Sequence, residues 1–300
     1  MGVNHPTPSA MPGDLAARLL VCPRSHAAVS VCGDELICAT SGFTGRVLDG
    51  VAVMMDAGGG SFFDDKFQVM TRGHQCAAEW NLCYAQQIGL LDALLQPGQV
   101  VLDVGCGPAL PYRPPAGVTV VGLEPSFDSI RANGDVALRV NGSATEIPLR
   151  TASVDVVVCF YSVHHMVGAN RAETRGLVSR AFREFGRVLK PGGVLLVFEM
   201  APNPAFALLQ RWLWNPARRI LRGALDMHFW PAAELTEVAA SQLPRGAAPT
   251  RRPIRSSPWA LIRPVFSWPW LKLPIFCHPL RPCLYQWRLP AEGETTPPSP

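Results

Sequence analysis

The chain has 300 residues, 48% of them hydrophobic, and a formal net charge of +4. That length carries one full α/β domain plus a small appendage, and the charge is too mild to mark a nucleic-acid binder by itself. No stretch reaches the roughly 18–20 apolar residues that span a bilayer. The cysteines number nine and are scattered, with no cationic start and apolar core ahead of them. Reduced thiols in a cytoplasmic protein are expected, rather than a disulfide framework.

Residues 1–15 are rich in small residues and proline and are expected to form a disordered tail. From 16 to 57 short β-type runs alternate with turns: Leu19 to Pro23, Glu35 to Cys38, and Val47 to Met55, with Asp49-Gly50 as a hairpin signal. Cys22, His26 and Cys38 are candidate metal ligands, and Cys32 is an oddly placed fourth. A closed zinc site takes two pairs of Cys or His, yet Ser41 stands where Cys38 would find a partner. Zinc and a metal-free packing of small buried thiols both remain open at this point. Gly58-Gly59-Gly60-Ser61 reads as a flexible linker. Phe62 to Phe67 reads as helical. So does the segment from Ala77 to Leu95, where Trp80, Cys83, Tyr84, Ile88, Leu91 and Leu95 make an apolar stripe. That stripe either packs on a sheet or lids a pocket.

The chemistry concentrates between residues 100 and 199. Val100-Val101-Leu102-Asp103-Val104 reads as a buried parallel strand, followed by the turn Gly105-Cys106-Gly107-Pro108. Glycine stands where a ligand must lie against the main chain. Val118 to Leu123 is a second strand, and Glu124 at its end is placed to accept ribose hydroxyls. Pro108, Pro111, Pro114 and Pro115 exclude a long helix after the turn. A site without a phosphate-capturing helix suits a nucleoside ligand without phosphates. Ser126 is an N-cap candidate, Val136 to Val140 a third strand, and Ser153 to Phe160 a fourth. Tyr161-Ser162-Val163-His164-His165-Met166 comes next at the fourth strand's carboxyl end, where ligands sit in open α/β sheets. A helix over 171–189 buries Val178, Phe182 and Phe185. Arg180, Arg183, Glu184 and Arg187 read as its solvated face. Leu189-Lys190-Pro191-Gly192-Gly193 stops it before a fifth strand, Val194 to Glu199.

Asp103-Val104-Gly105-Cys106-Gly107 resembles motif I of class I S-adenosylmethionine (SAM) methyltransferases, and Gly122-Leu123-Glu124-Pro125 resembles their second-strand acid. Asn141 to Leu149 is similar to the G-D-A-x-x-L-P-F segment of type-11 methyltransferases, with Ser143 where that family has its acid. The Leu-Lys-Pro-Gly-Gly turn is a mark of the same class, and the 16–57 segment resembles a degenerate zinc-ribbon module of the Trm112-like type. The resemblance implies a Rossmann-like α/β sheet with helices on both faces, plus a small N-terminal β module. It implies S-adenosyl-L-methionine as cofactor. Asp103 would orient the turn and draw the ammonium group. Gly105, Cys106 and Gly107 would allow close approach. Glu124 and Pro125 would hold the ribose, and Ser143, Ala144 and Tyr161 would border the adenine and the methionine chain. His164 or His165 would remove a proton from the acceptor.

The implied organisation is a tail over 1–15, the β module over 16–57, a methyltransferase domain over 62–250, and an extension over 251–300. The extension interleaves Arg251, Arg252, Arg255, Arg263, Lys272, Arg281 and Arg288 with Trp259, Phe266, Trp268, Trp270, Phe276, Tyr285 and Trp287. Such a mixture suits peripheral contact with the inner face of a membrane, stacking on RNA, or an irregular segment packed on the domain. The expected acceptor is a small, hydrophobic or lipid-like molecule. Two alternatives are an rRNA base methyltransferase and a non-catalytic module that keeps the fold. The modest charge, the missing ligand pairs and the lack of an N-P-P-Y motif after the fourth strand count against a nucleic-acid partner.

Overall fold

The computed structural model describes residues 11–55, 77–221, 227–254, 261–262, 273–274 and 279–293, with the backbone only for 77–85, 221, 261–262 and 273–274. The linker 58–61, the segment 62–67, the side chains of Trp80, Cys83 and Tyr84, and the aromatics Trp259, Phe266, Trp268, Trp270 and Phe276 lie outside them.

The N-terminal module opens with α1 (Gly13–Leu19). Residues 13–15, expected within a disordered tail, are helical instead, because Ala16, Leu19 and Leu20 bury in the core and hold this turn of helix in place; residues 1–10 lie outside the described ones. A meander comes after it: β1 (Ser30–Cys32), β2 (Glu35–Cys38), β3 (Phe43–Leu48) and β4 (Val51–Val53). Asp49 and Gly50 join β3 to β4 with φ of 51° and 71°. Two consecutive left-handed residues match the twist of the paired strands, as the Asp-Gly signal predicts.

The larger part runs α2 (Ala77–Leu94), β5 (Val100–Val104), β6 (Thr119–Glu124), α3 (Phe127–Ala132), β7 (Leu138–Asn141), β8 (Val154–Phe160), α4 (Arg171–Val188) and β9 (Leu189–Pro202). Then come α5 (Pro204–Leu221), α6 (Ala232–Gln242), β10 (Pro249–Pro253), the short pair β11 (Leu261–Ile262) and β12 (Leu273–Pro274), and β13 (Leu280–Arg288). Residues 105–118 carry no helix, as their prolines require. Ser126 caps α3 by accepting a hydrogen bond from Ser129 N at 3.3 Å.

One sheet gathers eleven strands in the order β1-β2-β3-β4-β7-β6-β5-β8-β9-β13-β10. From β4 to β9 every pair is parallel, and β13 runs antiparallel between β9 and β10. The central strands are apolar on both faces because both are covered. Along β9, Leu195 and Val197 enter the core shared with Phe182 and Phe185 of α4. Leu196 and Phe198 enter the opposite core, with Leu91 of α2 and Ile130 of α3.

Two expected boundaries lie inside this sheet. β4 pairs with β7, so the 16–57 module extends the same sheet as the 62–250 segment. The 250/251 boundary falls within β10, and β13 pairs with β9 over nine positions, from Leu280↔Pro202 to Arg288↔Val194. Tyr285 and Trp287 are fully buried, with Trp287 edge-on to Phe182 at 5.5 Å. Tyr285 and Trp287 share the core with Phe182 and Phe185 of α4, which covers this face of the sheet.

The solvated reading of Glu184 and Arg187 is also corrected. Glu184 is buried and accepts from Ile147 N at 3.0 Å and from Arg187 Nη2 at 2.7 Å. Arg187 donates as well to the carbonyls of Leu149 and Ile147, both at 2.7 Å. The loop after β7 needs those bonds, and α4 supplies them. Replacing Trp287 by alanine is expected to cost about 3–5 kcal/mol, the range for truncating a buried aromatic. Urea unfolding checks this, since a surface aromatic would move the midpoint by no more than about 0.5 kcal/mol in equivalent stability.

Candidate active site

The carboxyl ends of β5, β6, β7, β8 and β9 point the same way and build the site between them. Gly105 and Gly107, just after β5, have φ of 72° and 60°. A Cβ on Gly105 would lie 2.7 Å from Ser162 Cβ, so only glycine lets the turns after β5 and β8 close on each other. A Cβ on Gly107 would enter open space, the space a ligand can occupy. Cys106 points inward and is buried against β6, where burial raises its thiol pKa well above the ordinary value.

Glu124 is buried, and its carboxylate accepts from Gly107 N at 3.1 Å and Ser126 N at 3.0 Å. Asn133 Nδ2 donates to Gly107 O at 2.8 Å, and Asn141 Nδ2 to the carbonyls of Glu124 and Pro125 at 3.0 and 2.9 Å. Asp103 accepts from the Tyr112 hydroxyl through Oδ2 at 2.7 Å, while its other oxygen, Oδ1, is buried with no partner among the described residues. Burial raises the Asp103 pKa to about 7, against the lowering pull of the Tyr112 hydrogen bond.

Ser143 closes a small turn, its Oγ 2.8 Å from Thr145 Oγ1. With Glu146 it lines a cleft shared with Pro23, Arg24, Phe43 and Met54 of the β module. Ala144 packs at the edge of the core beside it. Tyr161 has φ of 54° and accepts at its hydroxyl from Gln87 Nε2 of α2 at 2.7 Å. Gln87 is fully buried, and its Oε1 has no partner among the described residues.

On the β8–β9 side, His164 Nδ1 lies 2.8 Å from Glu199 Oε2. The Glu199 carboxylate also accepts from Val163 N at 2.9 Å, and from His164 N and Met200 N, each at 3.3 Å. Because a carboxylate accepts, the bond assigns the proton to Nδ1 and leaves the Nε2 lone pair as the basic atom. Phe229 stacks on the His164 ring at 5.4 Å, and His165 lies beside it at 4.2 Å. His228 N donates to His164 O at 2.8 Å. The His228 ring is buried, with a pKa lowered to about 4 by desolvation and then by Arg171.

The structure thus brings Asp103, Gly105, Cys106, Gly107, Glu124 and Pro125 to one turn cluster, Ser143 and Ala144 to its β7 side, and Tyr161, His164 and His165 to its β8 side. It also brings in Tyr112, Asn133, Asn141, Gln87 and Glu199. An acid ending the fifth strand is the one visible sequence signal among these. Of the candidate metal ligands, His26 Nε2 turns to Glu184 at 3.6 Å, while each thiol meets a serine: Cys22 Sγ lies 3.1 Å from Ser41 Oγ and Cys38 Sγ 3.5 Å from Ser25 Oγ. Among the described residues no group of three or more His, Cys, Asp or Glu is arranged to hold a metal.

Asp103 gives the site a pH signature. Its folded pKa lies above the ordinary unfolded value of about 3.9, so the folded chain holds a proton there that the unfolded chain releases. The stability this group contributes is therefore lost as pH rises from about 4 to about 7. Melting temperatures across that range should fall more steeply for the wild type than for Asp103→Asn.

The methyltransferase domain family matches residues 102–197. An uncharacterized methyltransferase of Synechocystis sp. is 30% identical over 145 residues, covering 47% of this chain and 62% of the relative. A probable SAM-dependent methyltransferase of Mycolicibacterium smegmatis is 34% identical over 146 residues, covering 47% of this chain and 50% of the relative. The chain thus spans about half the length of these relatives. A solved complex between the Haloferax volcanii Trm112 methyltransferase activator and a putative methyltransferase contains a chain with the same fold. It superposes with a TM-score of 0.54 at 17% identity, over 76% of this chain and 98% of that one. With β7-β6-β5-β8-β9-β13-β10 in place, motif and family model agree over residues 102–197, the segment that matches the methyltransferase domain family.

Proposed function

We propose that this chain transfers a methyl group from SAM to a nucleophile on a small, hydrophobic or lipid-like acceptor. The observation that carries the reading is Asp103 Oδ1, buried with no partner among the described residues beside a glycine turn that opens on free space. A buried carboxylate oxygen without a donor is costly, and the ammonium group of the cofactor is a donor of the right charge. A carboxylate offers about four acceptor sites, so Glu124 can take a ribose hydroxyl beside the two backbone N–H groups it already holds. The loop of Ser143 and Ala144, one strand further along the sheet, borders the base. When bound, SAM supplies a methyl group already activated by its sulfonium charge.

The chain's own residues then align the acceptor, exclude water and handle its proton. His164, held by Glu199, offers Nε2 as the base, and Phe229 and Phe160 provide apolar walls. The 16–57 module is read as a built-in counterpart of the activator in the Haloferax complex. Two features support this: β4 covers the β7 edge, and the module lines the cleft next to Ser143.

Titration calorimetry with SAM and S-adenosylhomocysteine should give saturable binding, weakened about 10-fold or more in Glu124→Ala, as loss of a hydrogen bond to a charged group requires. No binding by the intact chain would overturn the reading. Once an acceptor is found, His164→Asn and Glu199→Gln should lower turnover by about 10²-fold or more while leaving SAM affinity within a few-fold. Equal losses in affinity would make the pair structural.

A further inference from the structure

Five of the seven large hydrophobic side chains exposed among the described residues lie on one helix, α5: Leu208, Leu209, Trp212, Leu213 and Ile220, from 51% to 78% exposed. At 100° per residue they cover an arc of roughly 140°. The opposite face is already packed. Trp214 is buried against His228, and Gln210 clasps the backbone of Phe229 by two bonds of 2.7 and 3.0 Å. The helix therefore has an inner apolar face that packs and an outer apolar face in solvent. Soluble chains rarely keep such a contiguous patch without a use for it.

The charges name the occupant. α5 contains no Asp or Glu, and Arg219 stands exposed within the arc, with Arg211 exposed on its flank. An arginine stem can lie along apolar surface while its guanidinium reaches outward. A protein partner with an apolar groove would gain nothing from unmatched cations there, whereas an anionic lipid surface takes both the apolar side chains and the charge. No described helix is long and apolar enough to cross a membrane, and α5 with its arginines suits lying in the interface plane. We propose that α5 docks the protein on an anionic lipid surface through Leu208, Leu209, Trp212, Leu213 and Ile220. This binding requires neither cofactor nor acceptor, so it stands or falls apart from the methyl-transfer reading.

The test is flotation of the full chain with phosphatidylcholine vesicles, with and without phosphatidylserine, at low and high salt. The wild type should float with phosphatidylserine vesicles and less so with phosphatidylcholine alone or at high salt. Trp212→Gln/Ile220→Gln should reduce partition at least about 10-fold, as removing two exposed apolar anchors demands, with the melting temperature unchanged because neither side chain is buried. Arg211→Gln/Arg219→Gln should remove the preference for phosphatidylserine. Absence of flotation by the folded wild type overturns the proposal, and so does flotation that the α5 variants leave intact. Sedimentation of the wild type as a dimer that Trp212→Gln/Ile220→Gln dissociates would assign the face to a second copy and overturn it as well.

Discussion

The ligand edge of the sheet depends on one buried carboxylate. Glu124 ends β6, yet its side chain satisfies backbone donors on either side, Gly107 N after β5 and Ser126 N before α3. Its carbonyl is held from β7 by Asn141. Three neighbouring strand ends are thus tied through one residue. Loops at strand ends carry backbone groups that water would otherwise satisfy. Here a charged acceptor replaces water, and charge-assisted bonds are the stronger kind. The same residue that shapes the turn is the one read as the ribose ligand, so the cradle is assembled before any ligand arrives.

The outer side of β7 would be a sheet edge, a template for unwanted pairing. The N-terminal module covers it with β4, in register from Val51↔Arg139 to Val53↔Asn141. Within the module, Cys22 and Ser25, and Cys38 and Ser41, stand at C-x-x-S spacing twice over, and each thiol meets the hydroxyl of the other pair. Hydrogen bonds of this kind are weak beside metal–thiolate bonds. Stability must come from elsewhere, and it does: Leu36, Phe43, Ala52 and Met54 join the larger core, and His26 and Arg187 share Glu184.

The parallel core is legible in the sequence because its signals are local. A run such as Val154 to Phe160 is apolar on both faces only if both are covered, and the glycine turn and Glu124 sit at fixed offsets from their strands. The fate of β13 is not legible. Its prolines, arginines and aromatics fit a surface belt as well as a strand, and what decides is a partner far earlier in the chain, β9, whose register sets Tyr285 and Trp287 in the core with Phe182 and Phe185 of α4. The burial of Glu184 and the half-burial of Arg187 are hidden for the same reason. On a helix wheel they are solvated, and only the carbonyls of Ile147 and Leu149 explain their burial. Ser25 gives no sign because a hydroxyl carries no ligand signal, although its spacing from Cys22 matches that of Ser41 from Cys38.

Residues C-terminal to the family segment complete the acceptor side, and its parts are linked in series. Glu199 orients His164, Phe229 lies on its ring, and Gln210 of α5 fixes Phe229 by its backbone. Behind them His228, with its pKa lowered to about 4, stays neutral at physiological pH between Trp214 and Trp230. The wall is aromatic and uncharged, so a charged group placed against it would lose its hydration without a partner. The helix that completes this wall turns its other face, equally apolar, to the outside. The helix thus carries two apolar faces of different fate, one closed by His228 and Phe229 and one left to solvent.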